Sequence, residues 1–142
     1  MPVTPRVSAE SLKTHLVTAK AAACVAGADL ASQPIFVAPY DIVIKRAIIV
    51  GMAAAAGIDA GNTSVWVLQT RLAGVETPLA SITFNNVVLF PAAFTPFSIG
   101  ADLGTGFRVP QGTLLCFTVT NGATAATPET LVVLEYWINE DV

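Results

Sequence analysis

The sequence predicts an all-β domain, an antiparallel sandwich or barrel of about eight strands, with an N-terminal arm ahead of it. Short runs rich in β-branched and aromatic residues recur along the chain. Gly, Pro, Asn or Asp closes each run, at the regular spacing that antiparallel strands need. After residue 30 no segment demands a helix.

Gln33–Val37 leads through the corner Ala38-Pro39-Tyr40-Asp41 into Ile42–Val50, which is too long and too β-branched to be a loop. Alternation places Ile42, Ile44 and Ile48 on one face and Val43 and Ile49 on the other. Small residues then connect to the turn Ala60-Gly61-Asn62. Ser64–Arg71 alternates again, with Val65, Val67 and Gln69 opposite Trp66, Leu68 and Thr70. Leu72–Glu76 reads as a hairpin loop and Thr77–Phe84 as the returning strand, stopped by Asn85-Asn86. Pro91 makes Val87–Ala93 an edge or irregular segment, and Phe94–Ile99 is a further strand. Phe107-Arg108-Val109 precedes Pro110-Gln111-Gly112, a type II-compatible turn. Thr113–Thr120 is a strand, Asn121-Gly122 a turn, and Thr130–Ile138 closes the series. In that last run Leu131, Val133, Glu135 and Trp137 oppose Val132, Leu134, Tyr136 and Ile138.

This reading gives a sandwich over residues 31–142 and, over residues 1–30, an N-terminal arm or an extra strand or short helix. Met1–Val7, with Pro2 and Pro5, reads as an extended arm in which Val3, Pro5 and Val7 are the docking residues. Ser8, Glu10, Leu12 and Leu16 suit a short capped helix, whereas His15–Val25 alternates as an Ala-rich strand. Both readings stay open on the sequence.

Composition limits the function. Of 142 residues 54% are hydrophobic and 12% charged, which excludes intrinsic disorder. Mean hydropathy is +0.66. A folded chain of this mass exposes about 6,900 Å², or about one charge per 400 Å², sparser than soluble surfaces usually are. Much of the apolar excess is therefore expected to be covered by other copies or by a partner. The net charge of −3 offers no basic patch for nucleic acid. Thr77–Ala101 is free of charge but broken by three prolines, so no membrane span is expected. Lys13, His15 and Lys20 interrupt any secretory signal. Cys24 and Cys116 have no CxxC or metal spacing and are expected to be free core thiols.

Chemistry-bearing residues are scarce. His15 is the one histidine, too few for a metal site of cupin type, and no nucleophile-elbow pattern surrounds any Ser or Cys. The carboxylates Asp41, Asp59, Glu76, Asp102, Glu129 and Glu135 nominate no catalytic pair. Asp59-Ala60-Gly61-Asn62 lacks the further ligands of a calcium loop. Gly104-Thr105-Gly106 lacks the strand-to-helix context of a phosphate loop. No enzyme activity, metal or cofactor is expected. The unusual feature is Val87–Phe97, whose Phe90, Phe94 and Phe97 are expected at a subunit interface.

Phe36-Val37-Ala38-Pro39-Tyr40-Asp41 entering Ile42–Ala47, then Thr63–Leu68, and later Phe107–Leu115 before a final aliphatic strand, resemble the small capsid decoration (head-stabilising) proteins of tailed bacteriophages. The resemblance spans Gln33 to Ile138 and rests on strand order and turn chemistry. It implies a jelly-roll sandwich that assembles as a homotrimer on the major capsid protein lattice, on the outer surface of the virion. It also implies an N-terminal arm that reaches neighbours, although this chain's N-terminal segment is longer than usual. The rival expectation is a trimeric receptor- or carbohydrate-binding jelly roll of the fibre-head kind. Trp66 and Trp137 count against it, because both fall in strands rather than loops.

Overall fold

The computed structural model describes residues 14–99 and 106–139. Nine strands fill these residues: β1 (His15–Ala21), β2 (Leu30–Val37), β3 (Ile42–Gly51), β4 (Ser64–Leu72), β5 (Val75–Phe84), β6 (Pro96–Ile99), β7 (Phe107–Val109), β8 (Leu114–Asn121) and β9 (Thr130–Ile138). They form two antiparallel sheets, one ordered β1-β9-β3-β6 with β7 also on β3, the other ordered β2-β8-β4-β5. No helix occurs among the described residues. The chain is an all-β sandwich.

β6 and β7 are two halves of one interrupted strand, since β6 pairs with Ala47–Val50 and β7 with Ile42–Ile44 of the same neighbour. With these halves merged, the first strand pairs with the last and the second with the second-last. The third pairs with the merged strand, and the fourth with the fifth. The chain is thus one long antiparallel hairpin, rolled so that β3 meets β9 and β4 meets β8.

His15–Ala21 is a strand, paired residue by residue with Tyr136–Thr130 of β9, whereas Ser8, Glu10 and Leu12 of the helix reading lie outside the described residues. Leu16, assigned to a helix in one sequence reading, is part of the strand. The sheet therefore includes His15–Ala21, the extra strand that one reading of residues 1–30 allows. The arm residues Val3, Pro5 and Val7 lie outside the described residues.

The core is the interface between the sheets. Ile42, Ile44, Ala47, Ile49, Val132 and Leu134 from one sheet meet Trp66, Leu68, Phe84, Leu115, Phe117 and Val119 from the other. Alternation correctly sorts β4 and β9 but misplaces two residues of β3, Ile48 and Ile49. A bulge between Ile44 and Arg46 moves the pleat by one, so Ala47 and Ile49 point inward and Ile48 outward. A bulge of this kind leaves no mark in a run where every residue is apolar or long enough to face either way.

The edges of the four-stranded sheet are blunted. β2 carries two register shifts, Pro34, and Ser32 at φ 42°. β5 carries Pro78 beside a shift opposite Leu68/Gln69. Kinks and a missing N–H at an edge prevent strand-to-strand addition.

Candidate functional site

The connections β1–β2, β3–β4, β5–β6 and β8–β9 gather at one end of the sandwich, here called the loop end. Isolated bridges Cys24–Thr127 and Ala56–Ala126 tie them together. Gly57, at φ 66°, lies where a Cβ would collide with the Thr124 carbonyl, so only glycine admits this approach. Asp59 closes its own turn, its Oδ1 accepting from the Gly61 and Asn62 amides at 2.8 Å and from Asn62 Nδ2 at 3.2 Å. Those bonds, led by the Gly61 amide, hold its carboxyl below the usual aspartate value. Asn85 acts likewise in the next loop, its Oδ1 accepting from the Val87 and Val88 amides at 2.7 and 2.8 Å.

Beneath the loops sits a buried polar network centred on Asn121. Ser64 Oγ donates to Asn121 Oδ1 at 2.6 Å, and Trp66 Nε1 donates to Ser64 Oγ at 3.0 Å. Asn121 Nδ2 donates to the Ala28 carbonyl at 3.0 Å, and its backbone N–H to Asp29 Oδ1 at 2.8 Å. One side chain thus pins the β1–β2 connection to the starts and ends of β4 and β8. The Asn121-Gly122 dipeptide, expected as a simple turn, is a structural hub.

The three phenylalanines expected at an interface have different surroundings. Phe90 packs 5.0 Å from Phe84 and 5.9 Å from Trp66, and Phe97 packs 5.4 Å from Phe84, centroid to centroid. Together with Phe117, 6.1 Å from Trp66, they make a ring-to-ring chain through the core. Phe94 alone turns outward and is 70% exposed. Its φ of 58° is a left-handed conformation that bulky residues avoid. A bond from its N–H to the Gly51 carbonyl at 2.8 Å holds it there.

The loop that carries Phe94 is apolar and uncharged. Val87 is 80% and Leu89 67% exposed. No charged residue occurs from Thr77 to Ser98, and residues 51–63 contain one, Asp59, which faces its own turn. Between the two loops lies an open hollow of about 250 Å³, lined by Ala54, Ala55, Gly57, Ile58, Asn85, Leu89, Phe90, Pro91 and Ala92. The sequence exposed the apolar run but gave no sign of the hollow, which needs two loops from distant parts of the chain.

At the opposite end Val37, Tyr40, Leu72 and Val75 are exposed. Ala73 and Gly74, at φ 50° and 81°, make the tight β4–β5 hairpin that projects the last two. β1 also begins at this end.

The described carboxylates have structural partners. Asp41 Oδ1 accepts from the Gln111 amide at 2.8 Å. Glu129 pairs with Lys20 at 3.1 Å and Glu135 with Arg46 at 3.5 Å. Asp102 lies outside the described residues. His15 stacks on Tyr136 with centroids 5.2 Å apart. Among the described residues no three His, Cys, Asp or Glu side chains group as metal ligands would. Both cysteines are buried and free. Cys116, however, is not part of the intersheet core. It lies in a row with Pro34 and Gln69 on the outer face of the four-stranded sheet. That sheet curls until its two edge strands touch, where Ser32 Oγ of β2 donates to Glu76 Oε1 of β5 at 2.6 Å. The same bond holds the Glu76 carboxyl below its usual range, while burial pushes the Cys116 thiol up.

No family model matches the chain, and no curated protein or solved structure matches it either. The functional reading therefore rests on the fold and the loop end.

Proposed function

We propose that the chain is a non-enzymatic virion structural protein that decorates and stabilises a phage capsid, bound as a homotrimer to the major capsid protein lattice. The observation that carries this reading is the β5–β6 loop at the loop end, an uncharged apolar surface with an outward Phe94, on a sandwich whose four-stranded sheet has blunted edges. Such a surface is stable in water when other molecules cover it. The rolled-hairpin strand order supports the jelly-roll topology that the resemblance implies.

Copies cover the loop end of one another, which leaves the opposite end, with Val37, Tyr40, Leu72 and Val75, to meet the shell. β1 begins at that same end, and the arm with Val3, Pro5 and Val7 is proposed to bind the shell as well. Binding the assembled lattice and not free capsid subunits stabilises the shell by mass action, and repetition over the lattice turns weak contacts into firm attachment. The fibre-head alternative draws less support. Trp66 is buried, and the exposed Trp137 donates its indole N–H to Thr14 at 3.2 Å beneath Lys45 Nζ, 4.6 Å from the ring centroid.

Electron microscopy of the particle that carries this chain tests the reading. Clusters of three copies on the outer shell surface are expected. Location at a fibre tip, or absence from particles, overturns it.

A further inference from the structure

We infer that Phe94 of one copy seats in the loop-end hollow of the next, so that each copy carries both the knob and the hole of its own assembly contact. The inference rests on the assembly reading above and names the contact within it. Four observations carry it.

The first is fit. A cavity of about 150 Å³ with apolar walls is enough to hold a benzene ring. The hollow between the β3–β4 and β5–β6 loops measures about 250 Å³, with walls from Ala54, Ile58, Leu89 and Pro91. The second is neutrality. Neither the knob nor the hollow carries a charge, and the one polar wall residue, Asn85, has its oxygen engaged by two backbone amides. Seating a ring there strips no charge of water.

The third is exposure. Phe94 is 70%, Val87 80% and Leu89 67% exposed, apolar side chains of the kind that mark an interaction site. The chain itself presents both an outward ring and an uncharged hollow with room for one, so a second copy supplies everything the contact needs. The fourth is backbone cost. Phe94 stays at φ 58° although glycine is the residue suited to that conformation. Its side chain is 70% exposed and takes no part in the aromatic chain of the core. Strain kept where it does not serve the monomer belongs to a binding function.

Phe94→Gly separates the two roles. Glycine relieves the left-handed backbone and removes the knob, so the variant is expected to melt at the same or a higher temperature. Its self-association is expected to be at least tenfold weaker than wild type, read by sedimentation across a concentration series. Ala54→Trp fills the hollow from an exposed position and is expected to weaken association equally. Mixing the two is expected to restore a pair of unlike copies, because one retains the knob and the other the hole. Wild-type protein that associates while both variants associate undiminished overturns the knob-and-hole contact and leaves the assembly reading standing. Wild-type protein that stays monomeric overturns both. Variants that weaken association singly but form no mixed pair also overturn the contact.

Discussion

Replacing Trp66 with alanine is expected to lower the unfolding free energy by about 3–5 kcal/mol, a large share of the 5–15 kcal/mol that a domain of this size has. Trp66 is buried and joins the two ends of the aromatic chain, with Phe117 on one side and Phe90 on the other. Its removal opens a cavity that rigid strands cannot close, and leaves Ser64 without the indole N–H it accepts. Urea denaturation followed by circular dichroism checks this. Trp66→Phe keeps most of the volume and loses the hydrogen bond alone, so its loss is expected to be less than half as large. Equal losses in the two variants would show that the hydrogen bond, and not the packing, is the main contribution.

The second large effect belongs to Asn121. Asn121→Ala is expected to destabilise by about 2–4 kcal/mol, because it strands the Ser64 hydroxyl and the Ala28 carbonyl in a buried site. The defect is local to the loop end, so hydrogen exchange is expected to speed up first in the β1–β2 and β8–β9 connections. Ser64→Ala and the double variant complete a cycle in which the two losses do not add, since both remove the same 2.6 Å bond. Strict additivity would show that the two side chains act independently.

The strands were legible because their signals are local. β4 and β9 alternate cleanly between faces, and the Pro110-Gln111-Gly112 turn appears as expected, with the Thr113 N–H bonded to the Pro110 carbonyl and Gly112 at φ 83°. The Lys45 region failed for the opposite reason. A bulge changes which residues point inward without changing which residues are present, so Ile48 and Ile49 exchange faces invisibly. The three phenylalanines of Val87–Phe97 look equivalent in sequence, yet ring packing takes Phe90 and Phe97 inward and a backbone bond to Gly51 turns Phe94 out. The turning-out of Phe94 depends on a residue more than thirty positions away, as do the Asn121 hub and the walls of the hollow. Single-sequence periodicity carries no information at such separations. The tie between Ser32 and Glu76 is of the same kind, visible only once the sheet has curled.

The central claim is that this chain is completed by copies of itself at the loop end. Light scattering coupled to gel filtration, at micromolar concentration and moderate salt, tests it most directly. The account predicts a particle near three times 14.7 kDa that persists as salt is raised, because the contact is apolar and uncharged. A folded species that stays at 14.7 kDa across the concentration range would contradict it.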